Sequence, residues 1–291
     1  MKQRILKILK EIAFYVVLIV ATVIVTVFIK MTVFANYVVP TSSMEPAIMA
    51  GDKIIVGKLV LGGRIVRNFF SHEPGDTFRI SRFPGLRKVR RNDVLVFNYP
   101  ATDWNRIGLD LSINYAKRCV AIPGDTFYIE RGIYKVKGLD KPLGSVEKQQ
   151  AFAQMPDTLI NESLWRCFPF DDRYDWNVKN FGPLYIPGSG DRIVIDTMNV
   201  VLYNKVLEYE THKQVSVRNG RVYLNDSVIT DYTFRKNYYF MAGDHVFDSR
   251  DSRYWGLLPE ENIVGKISYI WNNHNKQTGK TSWKRFLHAV E

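Results

Sequence analysis

Histidine and cysteine are scarce in this chain, at five and two of 291 residues. The histidines (His72, His212, His245, His274, His288) are scattered, and no spacing among them resembles a metal site. No histidine has a triad-like context, so neither a metal hydrolase nor a Ser-His-Asp arrangement finds its usual residues. No metal and no other cofactor is expected. Cys119 and Cys167 do not make a disulfide framework, which a chain of this length does not need; one bridge and two buried thiols both fit. Acids are also short, 29 Asp+Glu against 40 Lys+Arg, for a formal charge of +11. Such an excess suits nucleic acid or anionic lipid. The basic residues follow no nucleic-acid motif and an apolar anchor is present, so the lipid bilayer is the expected partner and nucleic acid is not. Internal repeats and low-complexity tracts are missing, and there is only one long apolar run.

That run is Ile12 to Ile29, 18 residues without a charge, and it ends at Lys30. At about 1.5 Å per residue it spans roughly 27 Å, close to a hydrocarbon core about 30 Å thick. Lys2, Arg4, Lys7 and Lys10 precede it against the single acid Glu11, which places the N-terminus in the cytoplasm and the bulk of the chain on the far side. A cleavable signal peptide has a shorter apolar region, about 7–15 residues, and a small-residue cleavage site. Val33-Phe34-Ala35 lacks the small residue two places upstream, so an uncleaved single-pass anchor is the reading adopted.

Just outside the anchor lies Val38-Val39-Pro40-Thr41-Ser42-Ser43-Met44-Glu45-Pro46. The two prolines hold their own φ and bias Val39 and Glu45 towards extended backbone. Ser43 is therefore expected on a stiff, non-helical segment where a nucleophile can meet an extended peptide. Alone, this stretch also reads as an ordinary linker.

Beyond Asp52 the pattern turns to strands. Lys53 to Val56, Val94 to Phe97, Asn114 to Ile122, Phe127 to Glu130, Arg192 to Ile195, Val215 to Val217, Arg221 to Leu224, Tyr238 to Ala242 and Ile263 to Trp271 are apolar or β-branched runs bounded by turn residues. Asn219-Gly220 is a two-residue hairpin signal. A basic loop between Arg64 and Arg91 carries Phe69-Phe70. Lys141 to Pro187 reads as irregular, and few helices are expected after the anchor. The expected fold is mostly β: residues 1–11 a basic cytoplasmic segment, 12–35 the transmembrane anchor, 36–125 with 236–291 a sheet-built catalytic core, and 126–235 a β-rich insertion.

A serine hydroxyl is a weak nucleophile and needs an adjacent base. Without a suitable histidine, a lysine can serve if burial keeps it neutral. Lys117, flanked by apolar neighbours on an expected strand, is the natural candidate.

Together these stretches resemble the type I signal peptidases (leader peptidases), membrane-anchored Ser/Lys proteases that remove signal peptides. The motifs occur in order behind the anchor: Ser43-Met44 with Pro46; Asp93 to Phe97; Tyr115 with Lys117-Arg118, Val120 and Pro123-Gly124-Asp125; then Gly243-Asp244, Ser249, Asp251-Ser252-Arg253 and Trp255-Gly256. The resemblance implies a serine endopeptidase of the cytoplasmic (inner) membrane, its catalytic domain outside, cutting exported preproteins after Ala-x-Ala-like sites through an acyl-enzyme. Ser43 would be the nucleophile and Lys117 the general base, with Thr41 and the Ser43 backbone N–H as oxyanion hole. Ser249 would orient the lysine, Gly243 leave room beside it, and Asp251 and Arg253 form a supporting ion pair, with Arg118 structural. Tyr37, Val39, Met44, Ile48, Tyr115 and Ala116 would line the substrate pockets. His245 stands where the family usually has Asn, which reads as a tolerated substitution. The rival reading is an inactive or non-enzymatic anchored β-domain, such as an envelope scaffold. A self-cleaving Ser/Lys repressor would need a DNA-binding helix pair in place of the anchor.

Overall fold

The computed structural model describes residues 2–67, 78–101, 106–274, 279 and 281–290. Phe69-Phe70 and His72, together with part of the basic loop, lie outside the described residues.

The apolar N-terminus forms α1 (Lys2–Thr32), with a mean hydropathy of 3.0 in its most apolar stretch and none of that stretch buried in the protein. Hydroxyls of Thr22, Thr26 and Thr32 donate to carbonyls four residues back at 2.7–2.8 Å, so the helix hides its own polar side chains. It starts well before Ile12 and stops at Thr32, because the chain enters a strand two residues later.

The strands, in chain order, are β1 (Phe34–Val38), β2 (Asp52–Gly57), β3 (Arg64–Val66), β4 (Ile80–Arg82), β5 (Val94–Asn98), β6 (Asn114–Ala121), β7 (Thr126–Glu130), β8 (Ile133–Val136) and β9 (Phe181–Tyr185). There follow β10 (Arg192–Val194), β11 (Val215–Arg218), β12 (Arg221–Leu224), β13 (Ser227–Ile229), β14 (Asp231–Thr233), β15 (Tyr238–Ala242), β16 (Leu258–Pro259), β17 (Ile263–Asn273) and β18 (His288–Ala289). The fold is mostly β. Its main sheet is antiparallel in the order β1-β2-β17-β5-β6-β15-β16, with β18 against β17. The last long strand thus lies inside the sheet, between β2 and β5. Register shifts along β17 and β15 mark where the sheet bends.

Residues of β5 and β15 are buried on both faces, as their unbroken apolar runs require. β6 is different: its first residues are exposed or half-buried and its last five are buried. Lys117 is the first residue past that boundary.

The segment 126–235 forms small sheets of its own, β8-β7-β9, β10-β14 and β11-β12-β13. The hairpin expected at Asn219-Gly220 is present, with φ of 50° and 70° and Arg218 paired to Arg221. These sheets share a hydrophobic cluster with β15, where Phe240 stacks on Phe127 at 4.4 Å and meets Phe181 at 5.3 Å.

Helices are more prominent here than expected. α2 (Val146–Gln154) crosses the stretch read as irregular, followed by α3 (Glu162–Trp165) and α4 (Val200–Thr211). α4 buries Val200, Tyr203, Val206, Leu207 and Glu210, a spacing of three and four that its β-branched start masks. α2 is mostly polar and buries only Gln149 and Phe152, too little for a periodic signal. Cys119 and Cys167 are both buried free thiols. The short α5 (Ser252–Trp255) follows the polar loop after β15.

Candidate active site

After β1 the chain bonds back to the start of β2: Val39 N donates to Asp52 O at 2.9 Å and Gly51 N to Val39 O at 2.8 Å. The residues between turn instead of extending. Glu45 N donates to Ser42 O and Ile48 N to Met44 O, each at 2.9 Å. Met44 and Ile48, 1% and 0% exposed, fix this turn into the core under β2 and β17, which leaves Ser43 half-buried at its rim. Ser43 is therefore presented by an anchored turn, and the bias of the residues before Pro40 and Pro46 is only part of its geometry.

β6 brings Lys117 to the same place. Its side chain is 2% exposed, and its amine is hydrogen-bonded to Ser43 Oγ. Burial lowers its pKa from 10.5 to about 8; Asp251 raises it, Arg253 lowers it further, and Asp244 and Asp248 raise it. At pH 7 roughly a tenth of such amines are neutral, against well under a thousandth for an exposed lysine. Thr41 Oγ1 stands 3.4 Å from Ser43 Oγ, so a second hydroxyl borders that of Ser43.

The loop after β15 closes the site from the other side. His245 N donates to Ser43 O at 3.2 Å. Gly243 packs so tightly that a Cβ there would meet Ser249 Oγ at 2.1 Å and Ser43 O at 2.6 Å. Asp251 and Arg253, 0% and 2% exposed, form a two-pronged ion pair with both contacts at 2.9 Å. Burial alone would raise the Asp251 pKa, but the Arg253 guanidinium holds it below the usual carboxylate value. Asp251 also accepts from Gly243 N at 3.0 Å, so the pair braces the backbone beside Ser43 and Lys117. Arg118 makes a second buried pair, with Asp244, at 2.7 Å. Ser249 Oγ is buried in this loop and makes no hydrogen bond to Lys117 here. The ring of His245 makes no hydrogen bond to Ser43 or Lys117, and its Nδ1 is buried without a partner among the described residues.

A cavity of about 290 Å³ opens between the two hydroxyls and the sheet. Tyr37, Val39, Met44, Tyr115 and Ala116 line it, together with Ser43 and Lys117. Ile48 stands behind this wall, fully buried, and does not line the cavity. Ile54 and Val96 do line it, though the sequence does not single them out. They are the cross-strand neighbours of Tyr37 and Ala116, which only strand pairing shows. Ser42 and Asp248 also escape a sequence reading: Ser42 Oγ donates to Asp248 Oδ2 at 2.8 Å across 206 residues of chain. Along the cavity, and among the described residues, 114–117 of β6 pair with β5 on one side only, because β15 pairs from Arg118 onward. Among the described residues no group of His, Cys, Asp or Glu could hold a metal ion.

A poised hydroxyl, a buried amine and an apolar cleft with an open strand edge are the equipment of an acyl-transfer site for extended peptides. The chain belongs to the family described as signal peptidase, peptidase S26, whose sequence model matches residues 12–181 and 186–272. The resemblance read from the motifs is thus borne out over most of the chain. Signal peptidase I of Buchnera aphidicola subsp. Baizongia pistaciae is 26% identical over 270 residues, covering 88% of this chain and 76% of that protein. Signal peptidase I of Aquifex aeolicus is 25% identical over 260 residues, covering 86% and 80%. The crystal structure of a signal peptidase I from Enterococcus faecalis V583 matches 63% of this chain and all of that chain, at 18% identity and a TM-score of 0.30.

Proposed function

We propose that this protein is a membrane-anchored serine endopeptidase that removes N-terminal signal peptides from exported preproteins, with Ser43 as nucleophile and Lys117 as general base. The observation that carries this reading is the buried Lys117 amine hydrogen-bonded to Ser43 Oγ at the end of an apolar cleft. Neutral Lys117 takes the Ser43 proton as Oγ attacks the scissile carbonyl. The oxyanion forms beside the Ser43 N–H and the Thr41 hydroxyl, and the amine of the departing chain recovers the proton from Lys117. Water then enters, gives a proton to Lys117 and attacks the acyl carbonyl; as the bond from the acyl carbon to Ser43 Oγ breaks, Lys117 passes that proton to Oγ, which restores both residues. Asp251 and Arg253 brace the loop that holds Ser43 O and packs beside Lys117.

Bulky walls (Tyr37, Met44, Tyr115) make the cleft shallow, which favours small side chains such as those of an Ala-x-Ala site by exclusion. The open edge at 114–117 offers main-chain groups to an extended substrate. α1 supplies the single membrane span, with the basic N-terminus in the cytoplasm and the site on the outer side. Residues 36–125 and 236–291 form the catalytic core, and 126–235 is an insertion packed against β15.

The test is cleavage of an Ala-x-Ala preprotein by detergent-solubilised wild type and Ser43→Ala. Cleavage at that site by wild type alone is expected; cleavage by both, or by neither when both are folded, would overturn the assignment.

A further inference from the structure

Ser43 is covalently flanked by a side chain that reaches away from the substrate cleft. Ser42 Oγ donates to Asp248 Oδ2 at 2.8 Å, and Asp248 N in turn donates to His245 O at 3.1 Å. His245 N holds Ser43 O. The nucleophile turn (42–48) and the loop after β15 (243–251) are therefore joined at two points, one through main chain and one through the Ser42–Asp248 side-chain pair. Val39 on one side and Met44 and Ile48 on the other are held in the core, while between them Thr41 is exposed and Ser42 half-buried, so the Ser42 side chain has no apolar packing to fix it and is held by Asp248.

We infer that Asp248 is a positioning residue for catalysis, which holds the nucleophile turn through Ser42 so that Ser43 Oγ stays on the Lys117 amine. The inference rests on the Ser/Lys reading above. Its physical basis is that a peptide plane free to rotate between Ser42 and Ser43 would swing both Oγ and the Ser43 N–H off their targets. Misplacement of a reacting group by about 1 Å costs on the order of 10²-fold in rate. A hydroxyl tied to a charged acceptor is a stronger tether than a neutral pair.

The same carboxylate has a second effect. Lys117 is faced by Asp244, Asp248, Asp251 and Arg253 from the loop packed on β6, by Ser43 from the turn, and by the Tyr115 ring 5.9 Å away on its own strand. Asp248 is the exposed member of that group, so its charge favours protonated Lys117 while being replaceable without emptying the core.

The experiment compares kcat, KM and the pH profile for wild type, Ser42→Ala, Ser42→Thr and Asp248→Asn on one preprotein, with Ser43→Ala as the control. Ser42→Ala should lower kcat about tenfold with KM within about twofold, the size expected for losing a hydrogen bond to a charged acceptor. Ser42→Thr, which keeps the hydroxyl, should restore most of it. Asp248→Asn keeps an acceptor for Ser42, so its plateau kcat should stay within a few-fold of wild type while the rising limb of activity moves to lower pH. A change in melting temperature alone, with kcat and pH profile as in wild type for both Ser42→Ala and Asp248→Asn, would overturn the positioning role. A wild type that does not cleave, or a Ser43→Ala variant that does, would instead overturn the Ser/Lys reading beneath it.

Discussion

Two lysines are buried among the described residues, and the protein treats them in opposite ways. Lys179, in the 126–235 segment and 7% exposed, meets Asp157 at 2.7 Å and donates to the carbonyls of Ala153 and Met155 at the end of α2. Its charge is answered on all sides and it ties a helix end to the β7-β8-β9 sheet. Lys117, in the main sheet and 2% exposed, has no carboxylate within ion-pair distance among the described residues and only the Ser43 hydroxyl as partner. Its acids stand further off, so burial wins and the pKa falls to about 8. A buried amine thus holds its proton firmly or gives it up more readily according to whether an acid is placed beside it.

That contrast can be broken most directly at the proposed dyad. Ser43→Ala and Lys117→Met should each lower preprotein cleavage by at least about 10³-fold while leaving the fold intact, as expected when one member of a catalytic pair is removed. Lys117→Arg should be as inactive, because a guanidinium does not give up its proton. Single-turnover cleavage assays measure this, and an active Arg variant would rule Lys117 out as the base. Lys179→Met should cleave within about twofold of wild type.

Next in size is Thr41→Val. Removing one oxyanion donor typically costs about 10²–10³-fold, and the loss should appear in kcat with KM little changed. Equal losses in binding would place Thr41 in substrate recognition instead.

The pH dependence sharpens the comparison further. In the proposed mechanism the active form is neutral Lys117, so log kcat/KM should rise by about one per pH unit below pH 8 and level off above it. A plateau already reached at pH 6 would contradict the pKa that burial gives this amine.

The smallest effect is on stability, and it should change sign between the two lysines. The Lys117 pKa is depressed when folded, so between about pH 8 and 10.4 the unfolded chain binds a proton that the native one does not, and stability rises with pH in that window. Below pH 8 the native state carries the full cost of the buried charge, on the order of 3 kcal/mol for a fall from 10.5 to about 8. Lys117→Met should recover part of that cost below pH 8. Lys179→Met should destabilise by about 1–2 kcal/mol, because it leaves helix-end carbonyls without a donor. Chemical denaturation at pH 6.5 and 10 distinguishes the two.

Much of this arrangement was legible in the chain. The nine strands read from apolar runs are present within a residue or two, and so is the Asn219-Gly220 hairpin, because period, propensity and turn chemistry act over a few neighbouring residues. The helices α2 and α4 were not legible. One buries too little, and the other begins with two valines that favour a strand until packing against Tyr232, Phe234 and Tyr238 decides otherwise. Ile48 shows the same limit within the site: the family resemblance put it among the pocket residues, but only the turn geometry shows that it supports the wall from behind.

What the sequence by itself determined is what depends on local physics: an 18-residue uncharged run long enough to span a bilayer, the basic residues that flank it and the strands, while the motifs around Ser43 and Lys117 singled those two residues out. Only the tertiary structure decided their chemistry. Ser43 and Lys117 lie 74 residues apart in the chain, and the acids and arginine that set the lysine's proton affinity come from a loop more than 120 residues further on. A pKa is fixed by desolvation and by charges a few ångströms away, and neither exists until the sheet has closed over the strand that carries the amine.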